Sequence, residues 1–258
     1  MAIGELFSKI TDFYRNRYTE LAGFQKPDRI PDGSEIVHYL AEVPDYVYAR
    51  YGFNREPLKG RLADDERDQL LFQCIEEGTK YASALKKQYP DLRPAEIAER
   101  LGITVYRPKM PSGGGHVRFA EFEQPNKIRV FLDAFDKAEE LIRECGEDKF
   151  FAKISLEDVL IAHELYHFVE MINGDEIFTQ NKQIELWGVG KLKYRSKLVS
   201  LPEITAMSFA KELTGLPFSA YFFDVFLTYS YNKELGTVIF NEIKKLNETN
   251  AQSSHEEV

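Results

Sequence analysis

Apolar positions in the first part of the chain recur with a helical period. This pattern predicts a helix over residues 3–20, a turn rich in proline, glycine and aspartate over residues 26–33, and a second helix after it. A long helical pattern covers residues 63–89 and stops at Pro90. A shorter helix over residues 94–101 begins with proline and is followed by glycine.

The pattern then changes to the short period of β-strands. Three segments alternate apolar and polar residues or are rich in β-branched and aromatic side chains: residues 103–107, 116–123 and 127–132. The sequence Gln-Pro-Asn at residues 124–126 predicts a hairpin turn between the second and third segments. The glycine-rich residues 111–115 predict a mobile loop before them. We therefore expect a small three-stranded β-sheet.

Helical periodicity returns in the second half of the chain. It predicts helices over residues 136–145 and 155–172, and a further helix that opens at Ser200 and stops at residues 214–217. Aromatic-rich helices follow, and the polar residues 247–258 predict a disordered tail. Together these patterns indicate an α+β fold that is mostly helical.

The chain carries an HExxH motif, His-Glu-Leu-Tyr-His at residues 163–167, inside one predicted helix. A four-residue spacing places the imidazoles of His163 and His167 on one helix face, one turn apart, and two neutral imidazoles suit Zn²⁺. Glu164 lies about 100° round the helix from His163, beside the position of a zinc-bound water, where a general base is needed. The alternative is a chance spacing, which is rare in a chain with only five histidines.

A catalytic zinc site usually has three protein ligands, so a third ligand is expected. The metzincin continuation requires glycine at position 170 and histidine at position 173, where this chain has Glu170 and Asn173. The other histidines, His38, His116 and His255, do not continue the motif. A carboxylate is therefore the better candidate.

Glu203 is the favoured carboxylate, because it lies downstream on its own helix with small alanines nearby for close packing against the histidine helix. A competing interpretation is a capping box, in which Glu203 would only accept a hydrogen bond from the backbone N–H of Ser200. Spacing alone leaves both open. The remaining candidates are Asp175, Glu176 and Glu185.

Three motifs together resemble the ImmA/IrrE-type metallopeptidases, a minimal gluzincin family: residues 95–103 (AEIAERLGI), 161–167 (IAHELYH) and 203–210 (EITAMSFA). The resemblance implies a zincin-like domain with the sheet beside the HExxH helix. It also implies that Glu203, at the start of the ExxAxxFA helix, is the third ligand. Tyr166 is a departure, since a glycine is common there in that family.

The resemblance covers roughly residues 63–217, which we expect to form the metallopeptidase domain. Residues 1–62 would be a helical extension, and residues 218–258 would supply further helices and the tail. No helix-turn-helix domain accompanies the motifs, so the identity of the substrate is not carried over from the family. A regulatory protein is the kind of substrate that the resemblance implies.

These residues predict a zinc-dependent peptidase in which Glu164 activates the water that attacks a peptide carbonyl. Candidates for oxyanion or substrate contacts are Tyr166, Tyr194, Tyr221 and His116. The strand at residues 116–123 could bind a substrate backbone at its edge. The alternative functions are a zinc-binding regulatory protein with little or no hydrolysis and, if the motif is a coincidence, a helical interaction domain without metal.

The composition of the chain indicates its cellular compartment and argues against some classes of partner. The net charge of −9 argues against direct nucleic-acid binding, and the basic residues 191–197 are expected to be a solvated loop or helix face. No apolar run suggests a membrane span, and no export signal is visible. Cys74 and Cys145 are far apart and without a partner motif, which is typical of reduced cysteines. We therefore expect a cytoplasmic protein; the sequence does not indicate its oligomeric state.

Overall fold

A computed structural model describes residues 26–109, 119–189 and 192–256. The helix expected at residues 3–20, the glycine-rich segment at 111–115 and His116 lie outside the described residues. The described part has an α+β architecture that is mostly helical, as the sequence predicts. Within these ranges, no helix is both long enough and apolar enough to cross a membrane.

The N-terminal half of the described chain is helical up to the first strand. Its elements are α1 (Gly33–Ala41), α2 (Asp45–Phe53), a 3-10 turn (Lys59–Arg61), α3 (Asp64–Gln88) and α4 (Pro94–Arg100). The single helix expected after the turn at residues 26–33 is wrong, because Pro44 separates α1 from α2 and is itself the N-cap residue of α2. The predicted helices at residues 63–89 and 94–101 are confirmed to within one residue at each end.

A three-stranded mixed sheet consists of β1 (Thr104–Tyr106), β2 (Ala120–Glu123) and β3 (Lys127–Val130). Their order is β1-β3-β2, with β1 parallel and β2 antiparallel to the central β3. The expected sheet and hairpin are confirmed. The first and third strands are shorter than their sequence patterns, and residues 116–118 of the second pattern lie outside the described residues. Ile128 and Val130 are buried. They share a face with Phe122, whose ring makes an edge contact with Phe168 of the histidine helix.

The C-terminal half is helical apart from one hairpin. Its elements are α5 (Leu132–Cys145), α6 (Asp148–Phe151), α7 (Leu156–Ile172), α8 (Phe178–Asn181), β4 (Gln183–Val189), β5 (Leu192–Lys197), α9 (Leu201–Thr214), α10 (Tyr221–Tyr231) and α11 (Lys233–Glu256). The expectation of a loop or helix at the basic residues is wrong, because β5 pairs antiparallel with β4.

The expectation of a disordered C-terminal tail is also wrong, because α11 extends to Glu256. The helix lies against α2 and α10. Arg55 and Asn54, at the end of α2, both bond to Glu242, and Asn247 donates to the hydroxyl of Tyr39 at 3.2 Å. These contacts tie the polar half of α11 to the folded core.

One cluster of buried side chains extends through the expected N-terminal, central and C-terminal ranges, from Ile36 to Ile243. Helices α3 and α9 approach closely within it at Gly78. A Cβ atom on Gly78 would lie 2.5 Å from the carbonyl oxygen of Thr205 and 2.8 Å from the backbone nitrogen of Phe209. The absence of a side chain at Gly78 therefore sets the position of α9, which carries Glu203.

Candidate metal centre

Helix α7 is held in place at its N-terminus and buried along most of its length. Ser155 is the N-cap, and its hydroxyl accepts the Asp158 N–H at 3.2 Å. Asp158 also accepts two hydrogen bonds of 3.1 Å from Arg93, the N-cap residue of α4. His163 and Glu164 are 7% and 8% exposed, so the polar face of this helix points into the protein.

The side chains of His163, His167 and Glu203 converge from α7 and α9. His163 Nε2 lies 3.3 Å from Glu203 Oε2, and His167 Nε2 lies 3.8 Å from Glu203 Oε1. The two imidazole centroids are 5.2 Å apart. One ligand atom from each residue falls within 4.8 Å of the other two, and no other such cluster of three occurs among the described residues.

This donor set is chemically suited to zinc. Two imidazole nitrogens and one carboxylate oxygen are the three-ligand combination of many catalytic zinc sites, which leave a fourth position for water or substrate. His163 and His167 come from successive turns of one helix, while Glu203 approaches from a second helix. The arrangement could therefore hold one metal ion between α7 and α9.

The N-terminus of α9 shows how Glu203 is placed. The carboxylate of Glu56, which is 1% exposed, accepts the Ser200 N–H at 3.0 Å and the Ser200 hydroxyl at 3.1 Å. Its other oxygen accepts the Leu58 N–H at 3.1 Å. Burial raises the pKa of Glu56, and these hydrogen bonds partly offset that effect. The acceptor role that a capping box would give to Glu203 is thus performed by Glu56.

Glu164 connects the histidine helix to the edge of the sheet. Its Oε2 accepts the backbone N–H of Phe122 at 2.7 Å. The backbone N–H of Phe131 donates to the Phe119 carbonyl. Because hydrogen-bonded pairs alternate along an antiparallel ladder, the backbone N–H and C=O groups of Glu121 and Glu123 point toward β3, and those of Phe122 point away from it. The carboxylate of Glu164 therefore bonds to β2 on the side that points away from β3.

A second polar group lies behind His167. The Nδ1 atom of His167 is 3.8 Å from Glu170 Oε2, and Thr179 donates its hydroxyl to Glu170 Oε1 at 2.7 Å. Burial alone would raise the pKa of Glu170, but the neighbouring His167 and the Thr179 hydroxyl outweigh it and lower that pKa. Glu170 is therefore a buried carboxylate held between His167 and Thr179.

Two of the tyrosines proposed as oxyanion or substrate contacts, Tyr166 and Tyr221, are buried in the core. Tyr166 is fully buried, and its hydroxyl lies 3.4 Å from Glu77 and 3.5 Å from Thr179. Tyr221 is 6% exposed, with its ring stacked on Tyr48. Both rings pack between helices.

Tyr194 and the alternative carboxylate ligands lie on the β4–β5 hairpin or directly after α7. The ring of Tyr194 on β5 stacks on Trp187 of β4 at 6.2 Å. Glu185 is exposed on the same hairpin and pairs with Lys193 at 2.8 Å. Asp175 and Glu176 are exposed after α7, and neither belongs to the ligand cluster.

Two residues with structural roles at this site were missed in the sequence. Glu170 stands three positions after His167, and this spacing places two side chains next to each other on a helix surface. The contact between them could therefore have been predicted from the sequence. Glu56 lies far from Ser200 in the sequence, and no local pattern connects them.

Comparison with protein-family models, with curated proteins and with solved structures finds no match to this chain.

Proposed function

We propose that this protein is a zinc-dependent metallopeptidase that hydrolyses peptide bonds in a protein or peptide substrate. The observation that carries the proposal is the convergence of His163, His167 and Glu203 within 4.8 Å, with the carboxylate of Glu164 on the same helix. A structural zinc site usually closes with four protein ligands, whereas the cluster found among the described residues has three. The motif resemblance to ImmA/IrrE-type enzymes, which implies a zincin-like fold, supports the same function.

Each residue of the cluster has a role in this proposal. His163, His167 and Glu203 would hold the ion, which when bound lowers the pKa of a coordinated water to about 7. Glu164 takes the proton from the attacking water and delivers it to the leaving amine. Its hydrogen bond from the Phe122 N–H holds the carboxylate by one oxygen.

The edge of β2 is the proposed place for the substrate backbone. Because the backbone N–H and C=O of Ala120 and the C=O of Phe122 point away from β3, an extended peptide can align along this edge by strand addition. The Phe122 N–H is occupied by Glu164, so the base would lie next to the aligned backbone. The side chains of Glu121 and Glu123 lie on the face of the sheet opposite to Phe122, where both pair with Arg129.

The test is a comparison of Glu164→Gln with the parent on a diverse peptide library, read by mass spectrometry. The amide keeps the shape and can accept the Phe122 N–H but cannot take a proton from water, so we expect zinc content to stay and cleavage to be lost. Glu157→Gln is the matched control, since Glu157 lies on the same helix and pairs with Arg107 outside the cluster. Equal cleavage by parent and Glu164→Gln, or no cleavage by zinc-loaded parent, would contradict the proposal.

A further inference from the structure

The imidazole of His167 lies between two carboxylates. Its Nε2 faces Glu203 Oε1 and its Nδ1 faces Glu170 Oε2, each at 3.8 Å. Glu203 belongs to the ligand cluster, but Glu170 does not, and it stands on the opposite side of the ring. The two nitrogens of His167 therefore have different environments, one directed at the ligand cluster and one at a buried carboxylate.

On the side away from His167, Glu170 is held by hydrogen bonds that link three helices, α7, α8 and α3. The carboxylate is 6% exposed, and its Oε1 accepts the hydroxyl of Thr179 on α8 at 2.7 Å. The start of α8 is held in turn by Glu77 of α3, which accepts the Phe178 N–H at 2.9 Å. Because one oxygen is anchored in this way, the other stays directed at His167.

We infer that Glu170 is a positioning residue that prepares His167 to bind the metal through Nε2. A neutral imidazole carries one proton, and an anion beside Nδ1 favours the tautomer with that proton on Nδ1. The lone pair of Nε2 is then directed at the ligand cluster. This inference rests on the proposed zinc site and adds a residue that the motif itself does not contain.

A purely structural role for Glu170 predicts a different result from a positioning role. If the carboxylate only ties α8 to α7 through Thr179, its loss should lower the stability of the metal-free protein and leave the affinity for zinc unchanged. If it orients His167, zinc affinity should fall beyond any change in stability. Carboxylates that orient a metal-bound histidine typically contribute about 10- to 100-fold to metal affinity.

The experiment is a competitive zinc titration of the full chain against a chromogenic chelator, together with thermal unfolding of the metal-free protein. Glu170→Gln is compared with the parent and with Glu77→Gln. Glu77 is the matched control, because the same substitution removes a carboxylate from the same network, and Glu77 contacts Tyr166 and Phe178 instead of His167. We expect zinc affinity to fall about 10- to 100-fold in Glu170→Gln and to stay near the parent value in Glu77→Gln.

Each other outcome counts against the inference. Equal zinc affinity of the parent and Glu170→Gln refutes it while leaving the zinc site intact, and an equal loss in both variants assigns the effect to general loosening of the network. A parent that binds no zinc refutes the proposed function itself, and the inference with it. If Glu170→Gln does not fold, Glu170→Asp replaces it: its shorter carboxylate keeps the charge but cannot reach both partners, and parent-like affinity in that variant refutes the inference.

Discussion

The Glu56 carboxylate accepts hydrogen bonds from both the backbone N–H and the hydroxyl of Ser200, at 3.0 and 3.1 Å. This pair joins the segment after α2 to the first turn of α9. It fills the acceptor position at the N-terminus of α9, so the side chain of Glu203 can be directed at the histidines. A residue remote in the sequence thereby supports the placement of the proposed third ligand.

Loss of this pair should destabilise the protein. Glu56→Ala leaves the buried N–H groups of Ser200 and Leu58 without their acceptor, at a cost of about 1 to 3 kcal/mol for each unsatisfied group. We expect a lower midpoint in chemical denaturation. Glu176→Ala removes an exposed carboxylate and should change the free energy of unfolding by less than about 0.5 kcal/mol. Equal midpoints for the two variants would contradict the role of Glu56.

Replacement of Glu203 should affect the metal much more than the fold. Glu203→Gln exchanges an anionic oxygen for a neutral amide at the centre of the cluster, so we expect a marked loss of zinc affinity with helix content unchanged in circular dichroism. Glu185→Gln is the control, because Glu185 was the alternative ligand and lies on the hairpin. Zinc affinity that stays at the parent value in Glu203→Gln but drops in Glu185→Gln would reverse the assignment.

The two histidines should be required for metal and dispensable for folding. We expect elemental analysis to find about one zinc per parent chain and almost none in His163→Ala or His167→Ala, with the core retained because α7 keeps its Ser155 cap. His38→Ala is the comparison, since His38 is exposed and lies 3.0 Å from Glu147 instead of near the cluster. Full zinc retention in both cluster variants would remove the basis for the metal centre.

A methyl group at Gly78 should separate α3 from α9. Its Cβ would lie 2.5 Å from the Thr205 carbonyl oxygen, a backbone atom that cannot rotate away. We expect Gly78→Ala to lower the free energy of unfolding by about 1 to 3 kcal/mol, despite the roughly 1 kcal/mol that alanine gains in a helix interior.

Zinc affinity should fall in the same variant, since α9 carries Glu203. Gly60→Ala tests the specificity of the effect, because no atom lies within 4 Å of a Cβ at that position. A Gly78→Ala protein as stable as the parent, or more stable, would show that α9 can shift without cost.

Short-range patterns determined most of the secondary structure and half of the candidate site. Ser155 accepts the N–H of Asp158 three residues on, and the glycines after α4 and α9 adopt the left-handed backbone that ends a helix, with φ of 76° at Gly102 and 70° at Gly215. The convergence of His163 and His167 needs only a helix, because residues four apart always share a face. The residues of β5 also alternate between apolar and polar, but their basic side chains favoured the prediction of a solvated loop or helix face instead of a strand.

Tertiary structure decided what depends on contacts between distant segments. The sequence left Glu203 as a possible ligand or cap, and only the packing of α9 against α3 and α7, together with Glu56, places its carboxylate beside both imidazoles. The ordered α11 likewise depends on partners such as Tyr39. Helix and turn preferences arise from neighbouring residues, whereas the meeting of two helices depends on side-chain volumes and buried hydrogen bonds contributed by the whole chain.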